Sequence, residues 1–181
     1  EGKKYTANYS TNWLKGSGEE TNLPSSSFDW VIMASSFHWT DPLKSLPEFS
    51  RILKPNGFFT AMWNPRNLIE GTVFYDIEKM INSQMPNMER VSSGLKKQTK
   101  NWSEIILDSG VFDNVEYVES DFQEVMSHQR YMGIWRSVND IRVQAGEKLF
   151  LEILEKIEGM ISDHEELHID YKNTSWTAKK I

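Results

Sequence analysis

Cysteine is absent from the chain of 181 residues, and so is any long apolar run. Without cysteine this chain has no disulfide, no thiolate nucleophile and no thiolate zinc site. No apolar stretch approaches the roughly 20 residues that a membrane-spanning helix needs. Positive charge is also scarce, because 20 Lys and Arg residues face 26 Asp and Glu residues and give a net charge of -6. This balance disfavours nucleic acid and membranes as partners, since both attract basic surfaces.

The composition is otherwise that of an ordinary globular domain. Hydrophobic residues make up 39% of the chain and charged residues 25%, which is enough for a buried core. No internal repeat, low-complexity tract or secretory signal is visible. We therefore expect one domain over residues 1–181, located in the cytoplasm.

Residues 28–63 predict a strand, a helix and a second strand. The run 28–34 is mostly apolar, as expected of a strand that is buried on both faces. Asp41 and Pro42 then supply an N-cap and a first helical residue. A second apolar run covers 58–63. Because a helix connects the two strands, we expect them to be parallel, with a right-handed crossover.

The rest of the chain alternates helical patterns with strand patterns. The predicted helices span residues 69–83, 102–108, 127–138 and 147–161, the last of these after a break at its start. The predicted strands span residues 13–16, 115–122 and 168–180. An α/β fold follows from this order of elements.

The stretch SSFHWTDP, residues 35–42, sets a histidine, an indole and a carboxylate after the first predicted strand. In doubly wound α/β sheets, ligands bind beyond the carboxyl ends of the strands. His38 and Trp39 would face such a ligand. The alternative is a capped turn with a packed indole, and the local pattern favours neither.

Three neighbouring segments carry a resemblance to a known family. They are GEETNLPSSSFDWV before the first strand, ASSFHWTDP at its end, and EFSRILKPNGFF, which reads as helix, turn and next strand. Together, within residues 16–64, they resemble the class I, Rossmann-like S-adenosylmethionine-dependent methyltransferases of the type 11 kind. The most specific part is Arg51 to Gly57. The resemblance implies a mostly parallel sheet with helices on both faces, and methyl transfer from S-adenosylmethionine to a small-molecule acceptor.

The family places a glycine-rich cofactor loop and further strands upstream of these segments. Gly16 and Gly18 directly precede the loop before the first strand, so they are not that cofactor loop. The resemblance therefore implies a partial, N-terminally truncated methyltransferase domain. A non-catalytic remnant or interaction domain of the same fold is the alternative function.

The resemblance also assigns roles to individual residues. His38 is the candidate general base for a hydroxyl acceptor, and Trp39 would wall the sulfonium, a cation that aromatic faces attract. The cofactor side further includes Ser17, Gly18, Glu19, Ala34 and Ser35. An inserted helical segment, residues 123–162, would cover the substrate. The substrate side comprises Trp63, Asn64, Arg66, Trp135, Arg136 and Asn139. For Trp135, an ordinary core position is the alternative.

A rival motif is HEELH, His164 to His168, which fits the H-E-x-x-H pattern of zinc hydrolases. On a helix it would place both imidazoles on one face, with Glu165 as general base. The extended form of the motif fails, because Tyr171 and Thr174 stand where it requires Gly and His. We expect no metal site here. The ordinary alternative is a solvated acidic turn that leads into a strand.

Overall fold

The computed structural model describes residues 2–89 and 100–181. Its helices are α1 (Gly2–Tyr5), α2 (Pro42–Ile52), α3 (Val73–Gln84), α4 (Trp102–Asp108), α5 (His128–Ser137) and α6 (Asn139–Ile161). Its strands are β1 (Phe28–Ala34), β2 (Leu53–Trp63), β3 (Phe112–Met126) and β4 (Leu167–Lys180). None of the described helices is long and apolar enough to cross a bilayer.

The predicted strand, helix and strand of residues 28–63 are confirmed. Asp41 caps α2, since its side chain accepts from the Leu43 amide at 3.1 Å, and Pro42 is the first helical residue. The second strand begins earlier than predicted, at Leu53. The segment KPNG, which predicts a turn, is therefore part of β2. Only Asn56 within it has a left-handed φ, of 62°.

The later helices are also confirmed, with shifts at their ends. Helix α4 has its predicted bounds. Ser127 caps α5, because its hydroxyl accepts from the Arg130 amide at 3.3 Å. The sequence NDIRVQAG predicts a break over residues 139–146, but α6 already begins at Asn139, and only Gly146, with a φ of 72°, departs from helical geometry. Such a φ suits glycine, which has no Cβ to clash.

Two predicted boundaries are wrong. Strand β3 extends to Met126, so the helical segment begins at His128 and not at 123. Among the described residues no strand forms over 13–16. Instead the Trp13 indole donates to the Thr6 hydroxyl at 2.8 Å, a contact within the N-terminal segment.

The four strands form one sheet in the order β1-β2-β4-β3. The contacts between β1 and β2 advance in the same direction along both strands. Near their start, the Ser27 amide donates to the Ile52 carbonyl at 2.8 Å. Further along, the Trp30 indole donates to the Thr60 hydroxyl at 2.8 Å. The two strands are thus parallel, as the connecting helix predicts.

Strand β4 runs the other way. Lys180, at its end, donates to the Leu53 carbonyl at 2.7 Å, and the Thr177 hydroxyl lies 2.9 Å from the Thr60 hydroxyl. The sheet is therefore mixed, and the prediction of a mostly parallel sheet is wrong on this point. The long helical segment between β3 and β4 leaves room for either strand direction, so the sequence pattern alone does not fix it. The predicted N-terminal truncation stays a prediction.

The chain divides into two compact units. The first comprises residues 1–61, 102–117 and 176–181, and the second comprises residues 62–101 and 118–175. The single domain predicted over 1–181 stays a prediction. Glu1 and residues 90–99, which that prediction includes, lie outside the described residues.

The first unit has an aromatic core. Phe37 and Phe59 are fully buried, with ring centroids 5.2 Å apart, and the Trp102 ring lies 5.2 Å from that of Phe37. Strand β1 contributes little to this core, since Trp30 is 55% exposed. The prediction of a strand buried on both faces is therefore wrong for the described residues. An apolar run predicts a strand, but burial depends on what covers it.

The second unit has a helical core in which α6 packs on α3 and α5. Its buried side chains include Ile77, Ile81, Tyr131, Trp135, Ile141, Ile153, Ile157 and Ile161. The apolar positions of α6 recur at helical spacing, as predicted, and this stripe faces the core. Tyr171 of β4 packs against this core, and its outer neighbour Phe122, which is 42% exposed, stacks on it with ring centroids 5.3 Å apart.

Candidate functional site

The turn after β1 is anchored in the core of the first unit by the side chain of Phe37. Phe37 is fully buried, whereas Trp39, two residues further on, is 69% exposed. The Thr40 hydroxyl closes the turn by donating to the Phe37 carbonyl at 2.9 Å. Ala34 and Ser35 are exposed at the end of the strand. Ser35 has a φ of 48°, a left-handed conformation that few residues other than glycine adopt.

His38 stands beside Trp39 in this turn. Their ring centroids are 4.8 Å apart with an interplanar angle of 44°. His38 Nε2 is buried, so this nitrogen is not open to solvent in the structure. The exposed indole, in contrast, offers a face to solvent. The two candidate residues are thus adjacent but differently accessible.

The loop that carries Ser17, Gly18 and Glu19 lies against the same turn. Glu19 Oε1 accepts from the Asp41 backbone amide at 2.9 Å, and this bond lowers the pKa of the Glu19 carboxyl. A Cβ added at Gly18 would come within 2.8 Å of Thr40 Cγ2. The structure therefore brings the two predicted cofactor segments together. It also commits one oxygen of Glu19 to the backbone of the turn.

Arg51 fastens the loop before β1 to helix α2. Its Nε and Nη2 donate to the Glu48 carboxylate at 2.7 and 2.8 Å. Its Nη1 donates to Ser25 Oγ at 2.9 Å, and Nη2 also donates to the Leu23 carbonyl at 2.8 Å. Glu48 in turn accepts from the amide and the hydroxyl of Thr21. The hydrogen bonds from Arg51 lower the Glu48 pKa to about 2.

Of the predicted substrate residues, the second unit brings Arg66 and Trp135 together. The Arg66 guanidinium carbon lies 4.5 Å from the Trp135 ring centroid. Arg66 Nη2 also donates to Glu78 Oε1 at 2.8 Å. Tyr131, one helical turn before Trp135, places its ring 6.2 Å from the indole ring. Trp135 is buried. It therefore occupies a core position, as the alternative interpretation predicts, and it also contacts Arg66.

The other predicted substrate residues lie apart from this cluster. Asn64, Arg136 and Asn139 are not buried, and Trp63 is half-buried at the end of β2. Arg136 follows the buried Trp135 on α5, about 100° further around the helix axis. The roles predicted for these residues stay predictions.

Of the other residues in this cluster, Glu78 was not predicted from the sequence, and Tyr131 was predicted only as the first residue of the substrate-side segment 131–140, without a role of its own. Both are fully buried. A usable signal existed for Glu78, because Ile77 and Ile81 flank it on the apolar face of α3. A carboxylate on such a face is buried only with a partner. No comparable signal marks Tyr131, whose ring suits a core position anyway.

The zinc motif lacks its helix. His164 lies in a turn after α6, and His168 belongs to β4. His168 Nδ1 instead lies 3.0 Å from Gln123 Oε1. Among the described residues no group of three or more His, Cys, Asp or Glu is arranged to hold a metal ion. The zinc hydrolase alternative is therefore wrong in its structural premise.

Comparison with known proteins bears on the first unit most directly. Residues 2–61 match the family described as a methyltransferase domain. An uncharacterised methyltransferase of Mycobacterium tuberculosis is 41% identical over 54 residues, which are 30% of this chain and 22% of that protein. An uncharacterised methyltransferase-like protein of Schizosaccharomyces pombe is 22% identical over 178 residues, covering 91% of this chain and 63% of that protein. The chain thus spans less than two thirds of the length of these relatives.

The fold is also similar to a solved structure. A protein from Anaeromyxobacter dehalogenans, described as a type II methyltransferase, has a TM-score of 0.62 and 18% identity. The similarity covers 91% of this chain and 69% of that chain. At this identity the similarity concerns the fold. With the match of residues 2–61, it confirms the resemblance that residues 16–64 predicted.

Proposed function

We propose that the protein transfers a methyl group from S-adenosylmethionine to a small-molecule acceptor, since residues 2–61 match the family described as a methyltransferase domain. The observation that carries the proposal is the contact between Glu19 and the Asp41 amide, which joins both candidate cofactor segments within the matched residues. The net charge of -6 favours a small acceptor over nucleic acid. The lack of cysteine supports a cytoplasmic location.

The residues at this turn fit part of the cofactor. The exposed indole of Trp39 suits the sulfonium, because aromatic faces attract cations. The left-handed backbone at Ser35 turns the chain sharply at the strand end, where the methionine part would lie. Glu19 fits less well as an acceptor for the cofactor, since one of its oxygens already binds the Asp41 amide.

S-adenosylmethionine, when bound, supplies an activated methyl group on a positively charged sulfur. The contribution of this chain is mainly positioning, which can lower the barrier of a two-substrate reaction greatly. Trp39 would orient the cation. His38 would serve as the general base for a hydroxyl acceptor that reaches its ring.

Calorimetric titration with S-adenosylmethionine tests the proposal. We expect binding by the wild-type chain and about fivefold weaker binding by Trp39→Ala, as expected for a lost cation–π contact. Trp30→Ala is the matched control. It removes a second exposed indole, which lies on β1 roughly 13 Å back from the end of the strand, and its affinity should equal that of the wild type.

Absence of binding by both this chain and the full gene product would reject the proposal in favour of an interaction domain, whereas binding by the full gene product alone would mean that this chain is a truncated part of it. A specific observation favours that second candidate. Strand β1 lies at the sheet edge with Phe28, Trp30 and Ile32 exposed, and open apolar edges are sites of strand pairing. Light scattering of the wild type and of Ile32→Lys would then show whether this edge associates.

The role of His38 has its own test. His38→Ala should lower the release of S-adenosylhomocysteine by roughly a hundredfold with a hydroxyl acceptor and remove the lower limb of the pH profile. Its affinity for S-adenosylmethionine should be unchanged. Equal turnover of the variant and the wild type would remove His38 from the mechanism.

A further inference from the structure

Two buried hydrogen-bond donors around Arg66 lack a well-placed acceptor within residues 62–89, 100–101 and 118–175, the described part of the second unit. The Arg66 side chain is 9% exposed and donates from Nη2 to Glu78 at 2.8 Å. Arg66 Nη1 and the Tyr131 hydroxyl are buried, and neither makes a hydrogen bond of ordinary geometry with another described residue. The Tyr131 oxygen lies close enough to the Arg66 and Trp135 side chains for both to lower its pKa, but neither side chain offers an acceptor for the phenol hydrogen. Unpaired buried donors are rare in native proteins and require a specific explanation.

Packing holds these donors in place. The Tyr131 ring lies 5.6 Å from the Phe74 ring and 6.2 Å from the Trp135 ring. The guanidinium of Arg66 lies over the same indole at 4.5 Å. The backbone on both sides of Arg66 is bonded to β4. The donors are therefore fixed in position and cannot simply rotate into solvent.

The Tyr131 hydroxyl keeps its proton at neutral pH. Burial raises the pKa of Tyr131, although the nearby Arg66 guanidinium acts in the opposite direction. A protonated phenol has one hydrogen to donate, and a guanidinium can only donate. Whatever completes the cluster must therefore offer acceptor oxygens to both residues.

We propose that Arg66 and Tyr131 bind the carboxylate of a small organic acid, at a site within the second unit that goes beyond the proposed function. One carboxylate oxygen accepts from Arg66 Nη1 and the other from the Tyr131 hydroxyl. Glu78 already balances the charge of Arg66. A dianion such as phosphate would thus bring two uncompensated charges into a buried site, and a monocarboxylate brings one. The surrounding rings of Phe74 and Trp135 favour a planar apolar body on the carboxylate.

Direct binding of benzoate, without S-adenosylmethionine, tests this site by calorimetry on the full chain. We expect benzoate to bind the wild type, and Tyr131→Phe to bind it about fivefold more weakly. Tyr5→Phe, which alters an exposed phenol in the other unit, should bind like the wild type. Benzyl alcohol and inorganic phosphate should bind at least on the order of tenfold more weakly than benzoate.

Thermal unfolding separates binding from a role in folding. Tyr131→Phe deletes an unpaired buried hydroxyl, so its Tm without benzoate should equal or exceed that of the wild type. A hydroxyl that serves only the fold would give the opposite pattern, with a lower Tm and unchanged benzoate affinity. That pattern would overturn the proposal.

A double variant tests Arg66 without leaving a lone buried charge. Arg66→Met combined with Glu78→Leu removes both partners, a change that proteins often tolerate. Benzoate binding should be lost while unfolding stays cooperative. If this variant does not fold, Tyr131→Phe decides the matter.

Three outcomes would overturn the carboxylate site: no benzoate binding by the wild type, equal affinity in Tyr131→Phe, or a preference for phosphate. A buried water would then be the partner of the two donors. Titration with S-adenosylmethionine is a separate measurement. Loss of benzoate binding with cofactor binding retained rejects only the carboxylate site, and the reverse rejects only the proposed function.

Discussion

Arg51 in the first unit and Arg66 in the second both bind a glutamate, but they differ in how many of their donors are used. Arg51 donates from Nε, Nη1 and Nη2 to the Glu48 carboxylate, Ser25 and the Leu23 carbonyl. Arg66 donates from Nη2 to Glu78 and leaves Nη1 without a partner among the described residues. The first pair is complete within the chain, whereas the second is not.

Exposure makes this difference more important. The side chains of Arg51 and Glu48 are 40% and 12% exposed, so water can serve any donor that moves. Glu78 and the donors of Arg66 are buried, where an unpaired group keeps its full desolvation cost. An arginine whose donor nitrogens are all paired, like Arg51, suits the purely structural role of fastening a loop to a helix. A buried arginine with an unpaired donor, like Arg66, suits the binding of a ligand.

The largest expected effect comes from breaking the buried pair. Glu78→Ala leaves the Arg66 charge buried and unpaired, and should lower the free energy of unfolding by about 3–5 kcal/mol. Urea unfolding followed by circular dichroism measures the change. The Arg66→Met/Glu78→Leu variant is the control and should recover most of the loss. A cost below about 1 kcal/mol for Glu78→Ala would show that the pair is less buried than described.

Loss of the ion pair between Glu48 and Arg51 should have a smaller effect on stability, and this effect should depend on pH. Glu48→Gln should lower the free energy of unfolding at pH 7 by about 1–3 kcal/mol, since a charged, multiply bonded carboxylate is lost. The folded pKa of Glu48 is about 2, against an ordinary value of 4.5. Its stabilisation is therefore present above pH 4.5 and declines as the pH falls from 4.5 towards 2.

Urea midpoints between about pH 2.5 and 7 measure this dependence. The wild type should lose stability relative to Glu48→Gln as the pH falls through that window, until the two curves approach each other. Parallel curves at every pH would mean that Arg51 does not hold the Glu48 pKa down.

The smallest expected effects come from a matched pair of helix caps, one in each unit. Asp41→Ala and Ser127→Ala should each lower the free energy of unfolding by about 1 kcal/mol. The loss in free energy of unfolding should be slightly larger for Asp41→Ala, because the Asp41 carboxylate also lies 3.5 Å from the Lys44 ammonium and at the positive end of the α2 dipole. Urea unfolding of both variants checks the order. A larger loss for Ser127→Ala would contradict it.

Local features of the fold could be predicted from sequence. The strand at 28–34, the capped helix after Asp41 and the break at Gly146 follow from residues within a few positions of each other. The direction of β4 could not be predicted, because it depends on contacts such as that of Lys180 with Leu53, far apart in the chain. The exposure of β1 could not be predicted either, because burial depends on which distant parts of the chain cover the strand.

The candidate site shows a similar division. The resemblance named His38 and Trp39, and it named Arg66 and Trp135, which the structure brings together. It gave no role to Tyr131 within the substrate-side segment 131–140 and did not name Glu78, and both meet Arg66 only after the helices have packed. Family motifs mark residues near the strand ends. Partners supplied by distant helices require the three-dimensional arrangement.

Phe37 has a consequence for how this region can change over evolutionary time. Its ring is fixed in the aromatic core, while Trp39, two positions further on, faces outward. Position 37 is thus constrained by packing, and substitutions there should be eliminated whatever the ligand. Position 39 lacks that constraint, so it can diversify among relatives and adapt to new ligands without endangering the fold.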